Sequence, residues 1–100
     1  MARSAGEAIV ETLAARGVRT FFTVPGESFL EVLDAVDRDP RLTLVSTRHE
    51  SGAAFMAEAV GKLTGRPAVA MGTRAVGAAN LAIGVQTAYE DLTPLLVLCG

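Results

Sequence analysis

The chain of 100 residues contains one cysteine, one histidine, one tyrosine and no tryptophan. A single cysteine excludes an internal disulfide and a cysteine-rich zinc site, and a single histidine provides no histidine cluster for a metal. Cysteine use this sparse implies a reducing cytoplasm. No apolar run approaches the roughly 18 residues of a membrane span, because polar or charged residues interrupt every stretch. The start, Met1-Ala2-Arg3-Ser4, leads directly into an amphipathic pattern, so a secretory signal is not expected. The basic residues are dispersed and the net charge is −2, so the chain lacks the basic footprint of a nucleic-acid binder. Fingerprint motifs are missing as well. There is no G-x-G-x-x-G and no G-x-S-x-G. Gly72 and Gly77 have phosphate-loop spacing, but Ala78-Ala79 stands where Lys-Ser/Thr is needed.

Half of the residues are hydrophobic, which excludes a disordered chain. Helical and strand patterns alternate. Ser4-Ala5-Gly6-Glu7 has the form of a capping box, and Ala8, Ile9 and Leu13 follow at helical spacing up to Gly17. Residues 20–24 read as a strand broken by Pro25-Gly26. Ser28 to Glu31 forms a second capping-box pattern, opening a helix through Leu33 and Val36 that ends at 37–40. Residues 42–46 read as a strand. Thr47 to Glu50 forms a third capping-box pattern for a helix that Gly65 and Pro67 close. Residues 68–71 predict a strand, 72–77 a loop, 78–88 a helix and 94–98 a final strand. This order predicts one α/β domain, a parallel sheet with helices on both faces. The final strand stops at Cys99-Gly100, where another strand-to-helix loop is expected. A four-stranded core of this size is marginal, so the domain is expected to be incomplete.

Ligands in open α/β sheets gather outside the carboxyl ends of the strands. Glu27, Arg48, His49, Glu50, Thr73, Arg74 and Asn80 all fall on that edge. Each also has a plain structural explanation. Glu50 suits a helix first turn as a cap and dipole partner. Arg48, Arg74 and Glu27 suit solvated charges, Asn80 suits a bond to its own loop, and Cys99 suits burial in an apolar strand. The small residues Gly52, Ala53, Ala54, Ala57, Ala59 and Gly61 permit close helix approach, either within the chain or between subunits.

The segments Val24-Pro25-Gly26, Arg48-His49-Glu50-Ser51-Gly52-Ala53-Ala54-Phe55-Met56-Ala57-Glu58-Ala59, Leu63-Thr64-Gly65-Arg66-Pro67, Gly77-Ala78-Ala79-Asn80 and Asp91-Leu92-Thr93-Pro94 occur in a telling order. In order and spacing they resemble the thiamine-diphosphate-dependent enzymes, in the acetolactate synthase, pyruvate oxidase and decarboxylase branch. The resemblance covers almost the whole chain. It implies that residues 1–100 form the N-terminal domain that binds the cofactor's aminopyrimidine, in incomplete form.

The resemblance implies a role for Glu50 at N1′ of the aminopyrimidine. A carboxyl group sharing a proton there favours the imino form of the 4′-amino group, which then serves as base toward C2 of the thiazolium. Pro25 and Gly26 are implied at the reactive end of the cofactor, and Thr73, Val76, Gly77 and Asn80 along the pyrimidine side. Glu27 either relays a proton to substrate or faces solvent. The chain departs from the family at Ala75-Val76, where relatives read Gly-Pro, so a changed loop backbone is expected there. The implied reaction is carbon–carbon cleavage or ligation on a 2-oxo acid. The implied cofactors are thiamine diphosphate and a Mg²⁺ held by a further C-terminal domain, while FAD, carried by some relatives in a middle domain, is not determined by these residues. The implied assembly is a homodimer or homotetramer in which a second subunit supplies the diphosphate-binding domain, so the 100 residues alone are expected to hold no cofactor. Two alternatives are a small pyrimidine-binding subunit of a two-chain decarboxylase for sulfopyruvate or phosphonopyruvate, and a non-catalytic binding or regulatory module of the same fold.

Overall fold

The computed structural model describes residues 2–100. The elements run α1 (Ala5–Ala15), β1 (Thr20–Thr23), α2 (Leu30–Arg38), β2 (Thr43–Ser46), α3 (Glu50–Thr64), β3 (Val69–Gly72), α4 (Arg74–Asp91) and β4 (Leu96–Cys99), with a single 3-10 turn over Glu27–Phe29 before α2. The strands form one four-stranded sheet in the order β2-β1-β3-β4. Every pairing is parallel: Phe22 sits beside Val45 on one side and Ala70 on the other, and Ala70 beside Val97.

Alternation along the strands splits the core between the two faces. Phe21, Val69 and Met71 pack with Val10, Val32 and Val36 beneath α1 and α2. Phe22, Ala68 and Ala70 pack with Ala53, Ala54, Ala57 and Leu81 beneath α3 and α4. Helices therefore cover both faces, as the alternating pattern predicts. Small residues in α3 serve packing within the chain. A Cβ on Gly84 of α4 would collide with Ala54, and one on Gly61 with the Pro94 carbonyl. Ala59, by contrast, is exposed.

Several local expectations need correction. The capping box at Ser4 and Glu7 forms with both of its bonds. The one expected at Ser28 and Glu31 does not. The chain passes through the 3-10 turn first, α2 starts at Leu30 without a side-chain cap, and the Ser28 hydroxyl bonds Thr73 instead. The box expected at Thr47 and Glu50 is also absent. His49 caps α3, its Nδ1 accepting from the Ser51 N–H at 3.1 Å, while the Thr47 hydroxyl donates to the Thr23 and His49 carbonyls. The loop expected over 72–77 is largely helix, because α4 begins at Arg74. The left-handed backbone of that turn falls on Arg74 (φ 58°), and Ala75 and Val76 continue as regular helix. The last strand is Leu96–Cys99 rather than 94–98, and Cys99 is exposed rather than buried, because it lies at the end of an outer strand. No helix among the described residues is long and apolar enough to cross a membrane.

Candidate functional site

The strand order determines where the loops diverge. The chain leaves β1 toward β2 and leaves β3 toward β4, in opposite directions across the sheet. Their carboxyl ends therefore flank a switch point, the place where a crevice forms in such sheets. Residues 24–28 follow β1 and Thr73 follows β3. The two turns touch. A Cβ on Gly26 would stand 2.6 Å from Thr73 Cβ, so only glycine allows this approach. The Ser28 and Thr73 hydroxyls hydrogen-bond across 45 residues of sequence. Thr73 occupies the cap position of α4, and its carbonyl accepts from the Gly77 N–H at 2.9 Å.

Glu50 reaches the same region from β2. It is the first residue of α3, and only 7% of its surface remains exposed. The Asn80 side-chain amide donates to its Oε1 at 3.2 Å. Its Oε2 faces the first turn of α4, where a Cβ on Gly77 would lie 3.4 Å away. Gly77 in turn lies against Gly72. A Cβ on either would fall within 3 Å of the other's backbone. This double-glycine contact lets the start of α4 sit directly on β3, with Glu50 Oε2 against its first turn.

The sequence-predicted residues thus divide into groups. Glu50, Gly77 and Asn80 come together around one carboxylate. Gly26 and Thr73 come together in the neighbouring contact between the turns. Pro25 and Glu27 are exposed beside that contact. Val76 is 71% exposed and is not among the residues gathered around Glu50. Arg48 is exposed, and His49 serves as the α3 cap. Ser28 and Gly72 belong to the site but were not among the predicted residues. Their roles arise from contacts with Thr73 and Gly77, which neither the capping-box pattern at Ser28 nor the phosphate-loop spacing of Gly72 and Gly77 indicates. Among the described residues no three acidic, histidine or cysteine side chains converge as a metal site.

A buried carboxyl group near the switch point of the sheet gains meaning from comparison with known proteins. The acetolactate synthase of Bacillus subtilis (strain 168) is 43% identical over 95 residues, covering 94% of this chain and 16% of the relative. The catabolic acetolactate synthase of Raoultella terrigena is 41% identical over 92 residues, covering 92% of this chain and 16% of the relative. The acetolactate synthase isozyme 3 large subunit of Escherichia coli (strain K12) is 37% identical over 97 residues, covering 97% of this chain and 17% of the relative. The chain therefore spans about a sixth of the length of these relatives. The family described as "Thiamine pyrophosphate enzyme, N-terminal TPP binding domain" matches residues 3–100. With that match spanning nearly every residue, the chain belongs to the thiamine pyrophosphate enzymes and forms the N-terminal TPP-binding domain of that family.

Proposed function

We propose that this domain acts in a thiamine-diphosphate-dependent enzyme that joins or cleaves a carbon–carbon bond of a 2-oxo acid, with acetolactate synthesis from pyruvate as the specific reaction. The observation that carries the reading is the buried Glu50 carboxylate, whose Oε1 accepts from Asn80 and whose Oε2 lies beside Gly77 at the start of α4. The relatives named acetolactate synthase support the choice of reaction.

The residues present fit the aminopyrimidine half of the cofactor. A planar ring needs backbone free of side chains to approach, and Gly77 carries none beside Glu50 Oε2. A ring nitrogen needs a carboxyl partner, and Glu50 offers one. When bound, thiamine diphosphate supplies an acidic thiazolium carbon that becomes the nucleophile toward a 2-oxo acid. Glu50 would hold a proton between its Oε2 and the ring nitrogen. Asn80 would keep the carboxylate plane fixed through Oε1. Gly26 and Thr73 would set the width of the crevice at its other wall. Glu27, exposed on the 3-10 turn, would be available to relay a proton at the crevice mouth. The Mg²⁺ and diphosphate contacts, and the second subunit that supplies them in a homodimer or homotetramer, would come from outside these residues. The proposed compartment is the cytoplasm.

The test is Glu50→Gln in the intact protein loaded with thiamine diphosphate. Glutamine keeps the volume and can still accept from Asn80, so stability should shift by at most about 1 kcal/mol, the scale of one first-turn charge at a helix end. It cannot exchange a proton at Oε2, so hydrogen–deuterium exchange at the thiazolium carbon and acetolactate formation should fall about 10²–10⁴-fold. Normal exchange together with a lowered melting temperature would overturn the reading and leave Glu50 as a structural residue.

A further inference from the structure

The helix caps of this chain differ in chemistry. The Ser4 hydroxyl closes α1 and the His49 imidazole closes α3. Among the described residues, α2 and α4 have no side-chain cap. Serine, threonine, asparagine and aspartate are the usual caps, and none of them changes charge near neutral pH. The one titratable ring therefore stands at the start of the helix whose first residue is Glu50. The His49 backbone is extended, with φ −149° and ψ 145°, as a cap requires. Its Nδ1 accepts from the Ser51 N–H at 3.1 Å and lies 2.8 Å from the Ser51 hydroxyl. Accepting needs a lone pair on Nδ1, so the capping ring carries its single proton on Nε2. This bond bridges the Glu50 backbone from the residue before it to the residue after it. The His49 carbonyl is fixed as well, accepting from the Thr47 hydroxyl at 2.9 Å and from the Gly52 N–H at 3.0 Å. Glu50 is thus held twice, its carboxylate by Asn80 and its backbone by His49.

We infer that His49 is a positioning residue for Glu50, and that protonation of its ring releases the first turn of α3. A second proton on the ring occupies Nδ1. The Ser51 hydroxyl can rotate and accept from the new Nδ1–H, so that contact survives. The Ser51 N–H cannot adapt: it loses its acceptor and faces another N–H. The added charge also lies at the positive end of the α3 dipole, which weakens the first turn further. The ring is exposed, so protons reach it directly from solvent. The charged groups at this edge are Arg48 and Glu50 beside it in sequence, Glu27 on the turn after β1 and Arg74 at the start of α4. Among the described residues none of them hydrogen-bonds the ring, whose partner is Ser51. Imidazole side chains take up a proton between about pH 5 and 8, so the backbone hold on Glu50 is lost over that interval. The consequence for the reaction rests on the thiamine diphosphate reading of Glu50, whereas the acid-labile cap does not.

His49→Asn and His49→Ala in the intact protein separate the cap from its titration. Asparagine caps well and does not titrate, while alanine caps nothing. The first readout is amide hydrogen exchange over residues 47–56 without cofactor, corrected for the intrinsic pH dependence of exchange. Wild type should be protected at pH 8 and lose that protection at pH 5. His49→Asn should be protected at both, and His49→Ala at neither. The second readout is hydrogen–deuterium exchange at the thiazolium carbon of bound thiamine diphosphate. From pH 8 to pH 5 wild type should slow about fivefold more than His49→Asn, the rate equivalent of one lost cap. His49→Ala should already be about fivefold slow at pH 8. The same pH dependence of amide protection in wild type and His49→Asn overturns the proposal, and so does an equal acid loss at the thiazolium carbon. Failure of the cofactor reading has a different signature: Glu50→Gln exchanges normally at the thiazolium carbon while the amide pattern of the other three proteins holds.

Discussion

Gly77→Ala tests whether the start of α4 is held against the sheet by backbone contact. An added Cβ would lie 2.6 Å from the Gly72 carbonyl carbon and 2.9 Å from its Cα. Both atoms belong to the buried strand β3, so the clash can be relieved only by moving the helix off the strand. At an exposed helix position, glycine to alanine would stabilise by about 1 kcal/mol. Overpacking a filled interior costs about 1–3 kcal/mol, and a rigid backbone neighbour places this case in the upper part of that range. The net expectation is a loss of about 1–2 kcal/mol. For a domain of this size each kcal/mol corresponds to roughly 4–8 °C in melting temperature, so a fall of about 4–16 °C is expected by thermal circular dichroism. Gly72→Ala meets the same gap from the other side, 2.8 Å from the Gly77 carbonyl group. The double variant should therefore lose less than the sum of the two, since one displacement of α4 relieves both clashes. Gly65→Ala is the control: it has φ 72° and no atom within 4 Å of the added Cβ, so only the backbone cost of about 1 kcal/mol applies. A Gly77→Ala protein melting at or above the wild-type temperature would refute the close-contact account of Gly72 and Gly77.

Two further expectations concern stability alone. The Arg41 guanidinium, and then the Arg41 backbone N–H, hold the Asp39 carboxyl down to about 2 from 3.8. Because the folded value is the lower one, this stabilisation is complete above about pH 4 and disappears as the pH falls toward 2; Asp39→Asn should therefore melt below wild type at pH 7 and match it near pH 2, and a gap independent of pH would contradict the pairing. Leu92 ends α4 in the left-handed region with φ 55° and 91% of its surface exposed; Leu92→Gly should raise the melting temperature by several degrees, by relieving about 1 kcal/mol of backbone strain, and a fall would show that the side chain is packed in solution.

The elements were legible because each rests on local chemistry. Ser4 and Glu7 lie three residues apart and close both capping bonds as the pattern predicts. The apolar strands alternate with amphipathic segments, which is sufficient to specify a parallel sheet covered on both faces. The other two capping-box patterns misled for different reasons. Ser28 is taken by Thr73 across the sheet edge, whereas α3 starts two residues later than the pattern places it, with His49 as its cap and the Thr47 hydroxyl bonded to the His49 and Thr23 carbonyls. A sequence pattern contains no information about such rivals. The site was half legible in the same sense. Glu50 and Asn80 could be placed near the strand ends by position, and the family resemblance suggested their use. Their direct hydrogen bond and the Gly72–Gly77 contact depend on how closely two helices approach the sheet, which is set by the sizes of buried residues on several elements at once. Cys99 was misjudged because an apolar strand reads the same whether it is central or outermost.

The two sides of the sheet are filled differently, and the difference predicts where this protein can change. Beneath α1 and α2 the helix side chains are Val10, Val32 and Val36, facing Phe21, Val69 and Met71. Branched and flexible side chains can exchange volume with one another, so this layer should tolerate paired substitutions. Beneath α3 the helix contributes Ala53, Ala54 and Ala57, and Gly84 of α4 lies directly on Ala54. Alanine and glycine have no atoms to rearrange. A larger residue there must shift a whole helix, and both helices carry the groups around Glu50. Drift in sequence should therefore accumulate under α1 and α2, while the α3 and α4 layer stays nearly fixed in residue size. In a library of random variants selected only for folding, the first layer should diversify several times faster than the second.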